Sequence, residues 1–137
     1  MEINLKENER IDDLEFKDLK IIQNKDGFCF GIDSILLTDF AKNIKQNLNI
    51  IDLGTGTGII PILLYGKTKN NKFVGVEIQE EVADMANRSI KLNVLENEIK
   101  ILNMNILDLT KKYKRGSFDV VTTNPPYKKI NTGIVNE

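Results

Sequence analysis

The feature that most constrains the fold is an alternation of strand and helix patterns between residues 49 and 122. Four short apolar segments are typical of buried strands: Asn49–Leu53, Lys72–Glu77, Glu98–Leu102 and Phe118–Thr122. Helical patterns at Gly58–Tyr65 and Glu80–Leu92 separate the first three of these strand segments. Strands that alternate with helices favour a parallel sheet with right-handed crossovers. The sequence therefore predicts an α/β fold with strand order 3-2-1-4.

Local signals support the helices. Pro61 is acceptable in the Gly58–Tyr65 helix because it lies in the first turn, where amides have no intrahelical partner. Asp33 and Ser34 can cap an earlier helix. That helix carries four apolar residues at helical spacing: Ile35, Leu36, Leu37 and Phe40. The Glu80–Leu92 helix is amphipathic, and its apolar face consists of Val82, Met85, Ala86 and Ile90.

Composition excludes several classes of chemistry. The 137 residues include no histidine, which removes Ser-His and Cys-His nucleophile pairs and most zinc sites. The single cysteine, Cys29, allows no internal disulfide and fits a reducing compartment. No apolar run approaches the ~18 residues of a membrane-spanning helix, and the net charge of -1 means that any contact with nucleic acid must be local. We therefore expect a cytoplasmic globular protein.

A glycine-rich loop follows the first of the four strands. Its glycines, Gly54, Gly56 and Gly58, have the spacing G-x-G-x-G, whereas a dinucleotide-binding fingerprint has G-x-G-x-x-G. Glycines at such a turn let a ligand approach the backbone closely. The carboxylate of Asp52, two residues before the first glycine, would repel a phosphate. It suits a cationic ligand such as the amino-acid end of S-adenosylmethionine.

Two further ligand contacts are predicted where the second strand ends. The carboxylate of Glu77 can accept hydrogen bonds from both hydroxyls of a ribose, as in other nucleotide-binding folds. Ile78 beside it can lie against an adenine. The alternative is a glycine turn and a surface glutamate without a ligand.

The tetrapeptide Asn124-Pro125-Pro126-Tyr127 follows the last predicted strand. The Asn124 side-chain oxygen can accept a hydrogen bond from an amino group, and the two prolines leave their carbonyls free as acceptors. Tyr127 supplies a flat face for stacking. Together these residues describe a clamp for an amino group on a flat or amide system. The alternative is a Pro-Pro strand end followed by a packed tyrosine.

In this order, the loop, Glu77 and the tetrapeptide resemble the S-adenosylmethionine-dependent methyltransferases that carry an N-P-P-Y motif. The resemblance covers about residues 33–127 and implies a Rossmann-like methyltransferase fold with S-adenosylmethionine as cofactor. In that family an acidic residue after the third strand reads the adenine amino group of the cofactor. The corresponding residue here is Asn105, with Ile106 beside it, and the Asn105 oxygen can accept the same hydrogen bond. Asp108 is expected to cap the following turn.

The resemblance also implies roles for the clamp, with Asn124, Pro125 and Tyr127 as catalytic residues. The Asn124 side chain and the Pro125 carbonyl would hold both hydrogens of the amino group, so that its lone pair is in line with the methyl–sulfonium bond. Neither a histidine base nor a metal is needed. The expected substrate-binding residues are Asn124, Pro126, Tyr127 and Lys128. Tyr127 would stack on a flipped-out base, which is worth about 1–3 kcal/mol.

The segment Gln23–Leu37 favours one substrate. It is similar to the segment before the cofactor loop in bacterial methyltransferases that modify adenine N6 next to the valine-tRNA anticodon. The resemblance therefore implies a tRNA partner. Open alternatives are an N-P-P-Y methyltransferase of DNA, ribosomal RNA or a protein glutamine, and a noncatalytic nucleotide-binding module. The basic runs 111–115 and 128–129 could contact phosphates near the substrate side of the sheet, although most such runs are solvated loops.

The expected organisation is an N-terminal hairpin or extended arm at residues 1–32, followed by the methyltransferase domain at residues 33–137. The fourth strand would then form an apolar edge near the end of the sequence. An uncovered edge of this kind favours aggregation. We therefore expect further strands of the sheet to follow Glu137; the alternative is a small complete domain.

Overall fold

A computed structural model describes residues 3–27 and 31–124, which fold into a parallel sheet, a hairpin and packed helices. In chain order the elements are β1 (Glu9–Asp13), β2 (Lys20–Asn24), α1 (Ile32–Ala41), β3 (Asn49–Leu53), α2 (Ile59–Lys67), β4 (Lys72–Glu77), α3 (Glu80–Leu92), β5 (Ile99–Asn103), a 3-10 turn (Ile106–Asp108), α4 (Leu109–Lys112) and β6 (Val120–Thr123). Strands β1 and β2 pair antiparallel, so the N-terminal segment takes the hairpin form of the two that were predicted.

The parallel sheet has the order β5-β4-β3-β6, which confirms the predicted order 3-2-1-4. Strand β3 is central, and Asp52 is in register with Gly75 on one side and with Thr122 on the other. Because the strands are parallel, the carboxyl ends of β3, β4 and β6 meet at one edge. That edge is where ligands bind in open α/β sheets.

The core lies between the sheet and helices α2 and α3. Helix α2 buries all but two of its nine residues, as expected for a helix that is apolar all round. The apolar face predicted for α3 is confirmed, with Met85, Ala86 and Ile90 buried and Val82 partly buried. A Cβ atom added to Gly66 would lie 2.7 Å from the Phe16 ring, so the hairpin connection packs directly on α2. None of the helices in the described ranges is long and apolar enough to cross a membrane.

Helix α1 forms as predicted, but its start and its buried face differ from expectation. Gly31 occupies the N-cap position, so the prediction that Asp33 and Ser34 cap the helix is wrong. Asp33 lies in the first turn, where a carboxylate interacts favourably with the helix dipole. The buried residues are Ser34 and Thr38, whereas the side chains of the apolar stripe are largely exposed, with Phe40 at 89%.

Two strands also differ from their predicted bounds. Strand β5 runs from Ile99 to Asn103, one residue later than predicted. Strand β6 runs from Val120 to Thr123, and the Phe118 ring before it packs edge-to-face on Tyr113 at 4.9 Å. Asp119 then exchanges two hydrogen bonds with Asn49 at the amino end of β3.

Candidate active site

A cavity of about 390 Å³ lies at the carboxyl edge of the sheet. It is bounded by the glycine loop after β3, the end of β4, the first turns of α3, the hairpin end and helix α1. Gly54, Gly56, Glu77 and Asn124 all line it. Four of the predicted site residues, far apart in sequence, are therefore brought to one cavity.

The glycine loop exposes its backbone to this cavity. Gly54 and Gly56 have φ angles of 68° and 60°, which side-chain-bearing residues rarely adopt. A Cβ atom built on either glycine would meet no heavy atom within 4 Å in the described part of the chain, so the space beside the loop is open. Thr55 between them is buried, and its amide donates to the Val76 carbonyl at 2.9 Å. The loop is thus anchored to β4 while both glycines face the cavity.

Glu77 ties the loop to helix α3. Its Oε1 accepts from the Gly56 amide at 2.9 Å, and its Oε2 accepts from the Gln79 amide at 3.0 Å. The side chain is almost fully buried yet lines the cavity. Asn103, at the end of β5, donates from Nδ2 to the carbonyls of Glu77 and Ile78, which holds this turn in place.

Asp52 lies beneath the loop and not on the cavity wall. It is 2% exposed, and its Oδ1 accepts from the Thr122 hydroxyl at 2.7 Å. Its Oδ2 is buried without a hydrogen-bond partner among the described residues. Burial raises the pKa of this carboxyl to about 6, against the opposing effects of the Thr122 and Thr55 hydroxyls. The carboxylate that was predicted to face a cationic ligand therefore lies just behind the loop that would hold it.

The clamp is described only at its first residue. Asn124 is half-buried beside the cavity, and its Nδ2 donates to the Ser34 hydroxyl at 3.2 Å. The other predicted clamp residues lie outside the described residues: Pro125, Pro126, Tyr127 and Lys128.

The remaining predicted cofactor residues do not line this cavity. Gly58 packs against Ala86 of α3, and Ile78 is 62% exposed. Asn105 caps the 3-10 turn by accepting from the Leu107 amide at 2.9 Å, and Ile106 in the same turn is partly exposed. Asp108 occupies the N-cap position of α4, where its carboxylate pairs with Lys111 at 3.3 Å.

Ser34, Asn103 and Thr122 are the site-related residues that sequence reasoning missed. The side chain of each one bonds to a predicted site residue on another element, which only tertiary packing brings close. Only Thr122 had a usable signal, because it precedes the clamp at the end of a strand predicted to pair with the strand of Asp52.

The basic run at residues 111–115 lies elsewhere. Lys114 and Arg115 line a second cavity of about 490 Å³, together with Leu53, Phe118 and Val121. They belong to the connection between β5 and β6. The contact of this run with phosphates stays a prediction. The described residues contain no group of three or more thiol, carboxylate or imidazole side chains that could hold a metal ion.

Solved structures define the class of fold. The 16S ribosomal RNA N2-G1207 methyltransferase of T. thermophilus superposes with a TM-score of 0.71 at 18% identity, over 91% of this chain and 35% of that one. Together with the parallel sheet order and the cavity at its carboxyl edge, this likeness establishes a Rossmann-like methyltransferase fold. Residues 15–136 match the profile of the methyltransferase small domain family, and the chain belongs to this family.

Curated relatives are more similar in sequence. The tRNA1(Val) (adenine(37)-N6)-methyltransferase of Haemophilus influenzae strain Rd is 32% identical over 123 residues, which cover 89% of this chain and 52% of that protein. The protein of the same name from Histophilus somni strain 129Pt is 35% identical over 115 residues, covering 83% of this chain and 48% of that protein. The chain thus spans about half the length of the curated relatives it matches.

Proposed function

We propose that the chain belongs to an S-adenosylmethionine-dependent methyltransferase that modifies the N6 amino group of an adenine in valine tRNA, next to the anticodon. One observation carries the proposal: Asn124, the first residue of the N-P-P-Y clamp, lines the same cavity as the glycine loop and Glu77. A donor held by the loop and an amino group held by the clamp would therefore share one space. A cytoplasmic location and the division at residue 32 stay predictions that accompany this proposal.

The residues at the cavity fit S-adenosylmethionine. The open space beside Gly54 and Gly56 suits a ligand that lies against the backbone. The buried Glu77 carboxylate has acceptor capacity for ribose hydroxyls beyond its two amide bonds. Asp52 supplies a negative charge behind the loop for the cationic amino-acid end. Ile78, Asn105 and Ile106 are proposed to border the adenine, and Gly58 to close the loop.

The cofactor, when bound, supplies an electrophilic methyl group on a sulfonium. The chain's task is then to make an adenine amino nitrogen reactive, because its lone pair is delocalised into the ring. The Asn124 oxygen and the Pro125 carbonyl are proposed to accept both amino hydrogens and favour a pyramidal nitrogen. Tyr127 is proposed to stack on the base, with Pro126 and Lys128 beside it. The methylated nitrogen can lose its extra proton to solvent, so no histidine is required.

The substrate is supported by the curated relatives, whose names specify tRNA1(Val) and adenine N6. A different N-P-P-Y substrate, in DNA, ribosomal RNA or a protein glutamine, is the enzyme alternative. A nucleotide-binding module without activity is the alternative from another class.

The test is a methyl-transfer assay with the full-length protein and labelled S-adenosylmethionine. Unmodified valine tRNA, a DNA duplex, a ribosomal RNA fragment and a release-factor peptide are offered separately. We expect incorporation into tRNA alone. Incorporation into another substrate would overturn the tRNA assignment, and cofactor binding by calorimetry without any transfer would favour the binding module.

The first site prediction concerns Asn124→Ala. Loss of the amino-group acceptor should lower kcat by at least about 100-fold, because the lost interaction acts on the reacting nitrogen. Calorimetry should show nearly unchanged affinity for S-adenosylhomocysteine. Thr123→Ala is the matched control, since its exposed hydroxyl bonds to the Leu53 carbonyl outside the cavity. Parallel loss of affinity and turnover would mean that Asn124 is structural.

A further inference from the structure

Helix α1 buries a polar face, which requires an explanation. Ser34 and Thr38, one turn apart, are 3% and 0% exposed, and a buried hydroxyl without a partner is unfavourable. The Thr38 hydroxyl has a partner on each of α1 and α2: it donates to the Ile35 carbonyl at 3.0 Å and accepts from Lys67 Nζ at 2.8 Å. Ser34 lies one turn earlier, at the wall of the candidate active site.

The side-chain partner of Ser34 is the carboxamide of Asn124. The Asn124 Nδ2 donates to the Ser34 oxygen at 3.2 Å, joining residues 90 positions apart in the sequence. In this bond the Ser34 hydroxyl oxygen accepts, so the nitrogen of the Asn124 carboxamide lies toward α1 and its oxygen lies away from the helix.

We infer that Ser34 is a positioning residue that sets the orientation of the Asn124 carboxamide. The inference rests on the proposed function, in which the Asn124 oxygen accepts a hydrogen from the substrate amino group. If the carboxamide turned over, its own NH2 group would meet that amino group, and two sets of donors would face each other. With Nδ2 bound to Ser34, the oxygen is the atom left for the substrate.

A merely structural hydroxyl would behave differently. Ser89 provides the comparison, because it is fully buried on α3 and its hydroxyl accepts from the Ile22 amide at 2.8 Å, outside the cavity lining. Ser34→Ala and Ser89→Ala each remove one buried hydroxyl from a helix. Both variants are expected to lose some stability, but only Ser34→Ala should affect Asn124.

The hydrogen bond between Ser34 and Asn124 is tested by NMR of the full-length protein labelled with 15N-asparagine. The Asn124 side-chain signals are assigned by their loss in Asn124→Ala. We expect Ser34→Ala to shift these signals and Ser89→Ala to leave them unchanged. Unchanged signals in Ser34→Ala would overturn the inference, whatever the protein's activity.

The effect of Ser34 on methyl transfer is measured by steady-state kinetics with tRNA. Ser34→Ala should lower kcat by about tenfold or more, because an Asn124 carboxamide that is no longer held in place would orient the substrate amino group less well. The affinity for S-adenosylhomocysteine should change less than about twofold, since the residue acts through Asn124. An equal loss of kcat in Ser89→Ala, or a shifted signal with unchanged kcat, would overturn the positioning role. A wild-type protein without methyl transfer would contradict the proposed function, while the NMR signals would still decide the contact.

Discussion

Asp52 is an ionisable residue that is almost completely buried near the site. Its Oδ1 is held by the Thr122 hydroxyl, whereas its Oδ2 has no hydrogen-bond partner in the described part of the chain. Desolvation disfavours the charged form, which is why its pKa rises from 3.8 to about 6. The folded protein therefore holds this proton more tightly than the unfolded chain does.

The sign of the pH effect follows from that difference. Stability contributed by protonated Asp52 is fully present below pH 3.8 and is lost as the pH rises through about 6. We expect the free energy of unfolding of the wild type to fall by about 3 kcal/mol from this group across that interval. Asp52→Asn should lack this fall, because the amide stays neutral and still accepts from Thr122. Denaturant titrations at several pH values measure it, and parallel curves for the two proteins would contradict it.

Among the elements, α1 shows how packing overrides an amphipathic pattern. Its apolar stripe suggests a core face, yet the buried residues of the helix are Ser34 and Thr38, and of the stripe only Leu37 packs against the core. Lys67 from α2 bonds both Thr38 and Asp39, so the interface of the two helices is partly polar. The exposed Phe40 consequently contributes little to the core.

That arrangement predicts the cost of Phe40→Ala. Truncating a buried phenylalanine to alanine lowers the free energy of unfolding by about 3–5 kcal/mol. Truncating an exposed one should change it by less than about 0.5 kcal/mol. Ile62→Ala on α2 is the buried comparison and should cost about 2–5 kcal/mol. Urea unfolding of both variants measures this, and a large loss for Phe40→Ala would show that the residue is buried.

At the scale of the whole molecule, an ion pair fastens the hairpin to α3. Arg88 donates from Nη1 and Nη2 to the two carboxylate oxygens of Glu9, at 2.6 and 2.7 Å. The Glu9 side chain is only 4% exposed, and the Lys6 amide also donates to it. The hydrogen bond from Arg88 is the main reason why the pKa of Glu9 lies below its ordinary value. The end of the hairpin that this pair fastens also lines the cavity, through Asn24 and Gly27.

Glu9→Gln should lower the free energy of unfolding by about 1–3 kcal/mol at neutral pH, because Arg88 loses a charged acceptor. The stability contributed by a carboxyl group whose pKa is lowered by folding is fully present above the pKa of the unfolded state. It is lost as the pH falls through the pKa of the folded state. The difference between variant and wild type should therefore shrink in acid. Asp84→Asn is the control, since its exposed carboxylate also pairs with Arg88 and should matter less. Equal effects of the two variants would contradict this account.

Much of the architecture was predictable because it depends on local rules. The periods of apolar residues predicted the bounds of β3, β4 and α3, and the crossover rule predicted the strand order. The placement of Gly54, Gly56, Glu77 and Asn124 around one cavity followed from that order. The site contacts of Ser34 and Asn103 were not predictable, since neither residue differs from any other polar residue in a helix or at a strand end.

The sequence by itself determined the fold class and the strand order, because apolar periodicity and glycine spacing act over a few neighbouring residues. Only the tertiary structure decided that Asp52 lies beneath the loop, that α1 buries its polar face, and that Ser34 meets Asn124. These outcomes depend on which surfaces fit together across 70 to 90 positions of chain. Burial and hydrogen-bond pairing are settled by that fit, and local patterns do not encode it.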